Sequence, residues 1–138
     1  MEAISHNIGI NNLLVAQYTD LENITGATIL IFPESAKGVA ITVGGAPGTR
    51  NFDSLNLNAN SHPIYALLIT GGSSFGLSST EGVVEYLRET GRGIKIDGLT
   101  IPIVPTCVIF DLFIGNPAWP SSEKIYKACK EADSRIEI

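Results

Sequence analysis

The residues whose types and spacing are best suited to chemistry lie together at Gly71-Gly72-Ser73-Ser74. Two hydroxyls follow two glycines, directly after the apolar run 66–69 and Thr70. Such a run predicts a short strand buried on both faces. The glycines let the backbone turn sharply or approach a neighbour where a Cβ would collide. Ser73 and Ser74 are expected to accept the first free N–H groups of a following helix. The N–H groups of Gly72 to Ser74 are in turn candidates to stabilise an anion or a developing oxyanion. The same residues also read as an ordinary strand–turn–helix junction whose glycines serve packing. The corner lacks the G-x-S-x-G and G-x-G-x-x-G patterns, and the chain has no G-x-x-x-x-G-K.

Other reactive side chains are scattered. Arg50 and Asp53 follow the glycine-rich stretch 44–49, and could pair with each other, face solvent, or orient a substrate carboxylate or a neighbouring loop. Asp111 lies between Phe110 and Leu112. If buried it needs hydrogen bonds or a partner, and structural, turn-capping and catalytic roles are all open to it. Cys107 and Cys129 lack C-x-x-C spacing and read as small buried hydrophobes. His6 and His62 are far apart in sequence, so no zinc site is expected. No Ser-His-Asp or Cys-His set can be assembled.

The elements that must position these residues are short. Strands are expected at 13–15, at 27–32, and at 39–43 after a turn at 33–38, so that 27–43 reads as a hairpin. Residues 51–63 read as loop, with Leu55 and Leu57 anchored inward. A helix is expected to run to Thr90, with Leu77, Thr80, Val84 and Leu87 as its buried stripe. Ser78 and Glu81 have capping-box spacing, which would start the regular helix only at Ser78. Strands are expected at 94–96 and 100–103 around Asp97-Gly98. Residues 106–112 fit strand or helix. Trp119 is a candidate pin for the turn at 115–117. A last helix should start near Ser121 and bury Ile125, Ala128, Cys129 and Ala132.

Composition sets the frame. With 138 residues, 44% hydrophobic, 17% charged and 14 glycines, the chain reads as one domain with many close backbone approaches and some apolar surface for a partner. The net charge is −5 and basic residues are dispersed, so nucleic acid is not an expected partner. No signal-peptide pattern and no membrane-spanning stretch is seen, which makes cytoplasmic the expected location.

Several segments, in order, resemble the N-terminal (alpha-segment) part of the self-processing aminopeptidase/amidase family. That family includes L-aminopeptidase/D-esterases, β-peptidyl aminopeptidases and nylon-oligomer hydrolases. The matching pieces are Thr25-Gly26-Ala27-Thr28-Ile29, Gly44-Gly45-Ala46-Pro47-Gly48-Thr49-Arg50, the stretch from Leu68 through Gly71-Gly72-Ser73-Ser74-Phe75-Gly76 to Leu77, Glu81 to Leu87, and Ile103-Val104-Pro105 with Phe110-Asp111-Leu112.

The resemblance implies an α+β layered fold, a partial αββα four-layer arrangement of two stacked sheets with helices outside. It implies a precursor cut internally, so that a new N-terminal Ser or Thr acts as nucleophile with its own amine as base. Substrates would be small amides or peptides with a free amino end, and no metal or organic cofactor is implied. Gly71, Gly72, Ser73, Ser74, Phe75 and Gly76 would lie near the substrate cleft, with Phe75 as an apolar wall. Arg50 would sit in a neighbouring loop and Asp111 would hold the site together; none of these is expected to be catalytic.

Two departures stand out. Family members continue into a Gly-Asn-x-Gly-Ala-Gly stretch and then the nucleophile, neither of which occurs in these 138 residues. Ala16-Gln17 stands where many members have Gly-His. The expectation is therefore part of an aminopeptidase/amidase, inactive alone, that homo-oligomerises or pairs with a polypeptide carrying the rest of the fold. The alternative is an inactive oligomeric binding or assembly protein derived from the family.

Overall fold

A computed structural model describes residues 5–7, 9–60, 62–132 and 135–137. In chain order the elements are β1 (Ser5–Asn7), β2 (Leu14–Asp20), β3 (Thr25–Ala36), β4 (Thr49–Arg50), β5 (Ile64–Thr70), α1 (Ser73–Gly76), α2 (Thr80–Glu89), β6 (Ile94–Ile96), β7 (Leu99–Ile101), β8 (Thr106–Val108), α3 (Ser122–Lys130) and β9 (Arg135–Glu137). Together they form a mixed α+β domain with open sheets. The main sheet has the order β2-β3-β5-β8-β4, while β1–β9 and β6–β7 form two-stranded ribbons. Only β5 and β8 run parallel within the main sheet.

One face of this sheet carries the core. Ile29, Ile31, Ala66 and Leu68 meet Val83 and Leu87 of α2, Ile125 and Cys129 of α3, and Val104, all essentially closed to solvent. Buried hydroxyls are paired: Thr80 with Thr106 at 3.0 Å, and Ser79 donating to the Pro120 carbonyl at 2.5 Å. Helix α3 starts at Ser122, near the expected place, and is capped by Ser121, whose side-chain oxygen accepts from the Lys124 N–H at 3.3 Å.

The two helices pack closely because α2 carries Gly82 at their crossing. A Cβ there would collide with the Ser122 carbonyl and lie 2.8 Å from the Tyr126 nitrogen, both rigid backbone atoms. Gly82→Ala should therefore cost about 2 kcal/mol despite the better helix propensity of alanine, since overpacking outweighs the propensity gain of about 1 kcal/mol. Urea unfolding measures it, and a gain in stability would show that the helices can part freely.

Several expectations need correction. The run 66–69 is not buried on both faces: along β5 buried residues alternate with half-buried ones. The second face carries the cross-strand rows Val15–Leu30–Leu67 and Gln17–Thr28–Ile69–Cys107, and the residues of these rows on β3, β5 and β8 are only partly covered. No helix of the described chain lies over this face.

The expected 27–43 hairpin does not form. Strand β3 continues through Pro33 to Ala36 and pairs with β2 and β5 instead. Its register with β5 breaks between Ile31 and Ala36, where a proline without an N–H costs no ladder bond. Residues 39–43 lie outside any strand, and Leu57 is 77% exposed while Leu55 is buried. The helical stripe is Thr80, Val83 and Leu87, with Leu77 and Val84 half-buried. The hairpin β6–β7 turns at Asp97-Gly98 as expected, and residues 106–108 are strand. Among the described residues, no helix is long and apolar enough to cross a membrane.

Candidate functional site

Three chain segments converge where β5 ends. The Gly71 N–H donates to the Gly26 carbonyl at 2.8 Å, tying the corner to the start of β3. The Ile109 N–H donates to the Thr70 carbonyl at 2.8 Å, and the Ser73 N–H returns to the Ile109 carbonyl at 3.0 Å. Asp111 closes the junction. Its Oδ1 accepts from the Gly72 N–H at 2.6 Å and its Oδ2 from the Thr25 hydroxyl at 2.8 Å. Bonds to a carboxylate are shorter and stronger than neutral ones, so this residue fixes the corner in place.

The glycines are required by this geometry. A Cβ on Gly71 would strike Asp111 Oδ2 and Thr25 Oγ1. Gly72 has φ +87° and Ser73 φ +53°, two successive left-handed residues that swing the chain into α1. A Cβ on Gly72 would strike the Cβ of Trp119, which thus seats against this corner. Gly76 packs against the Gly71 carbonyl.

This arrangement overturns the capping reading of the serines and narrows the anion-donor reading. Neither Ser73 nor Ser74 caps the helix start: Gly72 is the cap residue, and no side chain accepts there. The N–H groups of Gly72 and Ser73, two of the three donors expected for an anion, are engaged by Asp111 and Ile109. The Ser78–Glu81 capping box is also absent. Ser78 donates to the Phe75 carbonyl at 2.8 Å, and Glu81 pairs with Arg50 at 2.5 Å. Arg50 therefore ties β4 to the first turn of α2 rather than pairing with Asp53, and its partial exposure leaves it accessible at the rim.

Four of the predicted residues line two separate cavities. Ser73 and Ser74 line an open cavity of about 460 Å³ with Ala46, Pro47, Gly48 and Phe110, so the glycine-rich loop does neighbour the corner. Gly71, Thr25 and Asp111 line another of about 260 Å³, together with Gln17, Thr28 and Ile69 of the less covered sheet face. Phe75 lines neither; it is 54% exposed and stacks on Trp119 with ring centroids 4.7 Å apart. Thr25, Gln17, Glu81 and Trp119 complete the neighbourhood. Only Trp119 carried a local signal of such a role, because the contacts of the others span long sequence separations.

Among the described residues no group of three His, Cys, Asp or Glu side chains could hold a metal ion. Burial holds the Cys129 thiol at a pKa of about 12, and Cys107 is also raised by burial. Cys129 is therefore neither thiolate nor accessible at pH 8. A thiol reagent should modify it only after denaturation, while the partly exposed Cys107 reacts slowly in the native chain. Titration with and without urea, followed by peptide mass mapping, checks this; native labelling of Cys129 would contradict its burial.

No family model matches the chain. Its sequence is similar to an uncharacterized aminopeptidase of Mycobacterium tuberculosis (strain H37Rv) and to one of Mycobacterium bovis, each 40% identical over 116 residues. That match covers 82% of this chain and 33% of each relative. An uncharacterized aminopeptidase of Mycobacterium leprae is 39% identical over 108 residues, 78% of this chain and 30% of its own. The chain is thus homologous, over most of its length, to about one third of proteins named aminopeptidases.

Proposed function

We propose that this chain is the alpha-segment portion of a self-processing aminopeptidase/amidase, acting on small amides or peptides with a free amino end. It forms one helix-covered sheet of a four-layer αββα fold. A further segment, in the same gene product or as a separate polypeptide, supplies the second sheet and the Ser or Thr nucleophile. The observation that carries this reading is that the aminopeptidase similarity spans most of this chain but only a third of the relatives. The half-covered apolar face of the main sheet supports it, since a layered core needs both faces buried. Gly71, Gly72, Ser73, Ser74 and Asp111 then build the wall of the cleft, with Phe75 and Arg50 at its rim, and the reaction proper belongs to the missing segment. No cofactor is needed for such a mechanism, and the complex would act in the cytoplasm.

The test is to express the chain alone and together with the unmatched two-thirds of the M. tuberculosis relative, and to assay D-alanine amide and β-alanyl amides. Hydrolysis should appear only with both parts. Absence of hydrolysis from a well-formed complex would favour a binding or assembly protein instead.

A further inference from the structure

Residues 39–43, Val-Ala-Ile-Thr-Val, have the composition of a strand but no strand partner among the described residues. Valine, isoleucine and threonine favour extended, half-buried backbone, and Val39, Ile41 and Val43 are instead 65%, 79% and 88% exposed. None of the five residues has a positive φ. Among the described residues, the one backbone hydrogen bond this segment makes is from the Ala40 N–H to the Leu55 carbonyl, at 3.1 Å. In extended backbone the N–H and C=O groups of alternate residues point to the same edge. The Ala40 N–H is thus taken by the turn at 53–55, while among the described residues Val39, Ile41 and Val43 make no backbone hydrogen bond. An open apolar edge is a template for strand addition.

We infer that residues 39–43 are a docking strand, which pairs through its Val39–Ile41–Val43 edge with a β-strand of the segment that completes the fold. This rests on the reading that such a segment exists. The occupant is argued from length: about two-thirds of each relative lies outside the matched part, enough to supply further strands. A charged partner is disfavoured, because the segment has no ionisable side chain and its exposed side chains are mostly hydrocarbon.

Hydrogen exchange tests it, on the full chain alone and in complex with the unmatched two-thirds of the M. tuberculosis relative. The Val39, Ile41 and Val43 amides should exchange at least tenfold more slowly in the complex, while the chain alone leaves them fast. Ile41→Pro removes the central donor of the open edge, and should weaken the complex at least tenfold while leaving the thermal unfolding of the chain alone unchanged. A complex that forms without slowing these amides, and that tolerates Ile41→Pro, overturns the docking strand but leaves the two-part reading intact. Failure of any complex to form counts against the two-part reading and the docking strand together. Slow exchange in the chain alone, accompanied by dimerisation, would assign the edge to a second copy and overturn the inferred occupant.

Discussion

Asp111→Ala is expected to lower the folding stability of the chain by about 3–5 kcal/mol. Two donors, the Gly72 N–H and the Thr25 hydroxyl, lose a charged acceptor at once, and each such bond contributes about 1.5–3 kcal/mol. The loss propagates because these bonds join the start of β3, the corner after β5 and the segment after β8. Asp111→Asn separates geometry from charge. Its amide can accept from Gly72 and donate to the Thr25 oxygen, so it should recover more than half of the loss. Urea unfolding of the wild-type, Ala and Asn chains measures both. A cost below about 1 kcal/mol for Asp111→Ala would show that the junction is held by something other than this carboxylate.

Gly72→Ala should be nearly as damaging, at about 3 kcal/mol. An L-residue at φ +87° costs about 1–2 kcal/mol, and the added methyl must displace Trp119 at a similar cost. Trp119 is the one tryptophan of the chain, so its fluorescence reports the displacement directly. Its stacking on Phe75 should loosen and its emission shift toward the red. Gly45→Ala is the control: it has open space around it and a backbone that tolerates a side chain, so it should be neutral. An unshifted emission spectrum in Gly72→Ala would mean that Trp119 does not seat against the corner.

What could be read from the sequence was local. Apolar, largely β-branched runs located β3 and β5, and serine at position 121 marked the start of α3. The two-residue turn at Asp97-Gly98 fixed the hairpin β6–β7. What could not be read were contacts between distant segments. The 39–43 stretch has strand composition, but composition does not say that the partner of β3 on that side is β5. Leu55 and Leu57 look alike in sequence, and only the turn at 53–55 decides which points inward. Asp111 was visible as a carboxylate among apolar residues. That it takes the Gly72 N–H, one of the three donors expected for a bound anion, depends on a contact across 39 residues. The apolar run 66–69 misled for a different reason. Its composition suits burial on both faces, and the described residues supply a cover for only one.

That half-covered sheet makes the state of the isolated chain the most direct test. Size-exclusion chromatography with light scattering, at micromolar concentration, gives the mass of the chain alone and after addition of the unmatched two-thirds of the M. tuberculosis relative. The account predicts a self-associated chain when alone, and a discrete two-part complex once the remainder is present. A clean, stable monomer that ignores the added segment would contradict it.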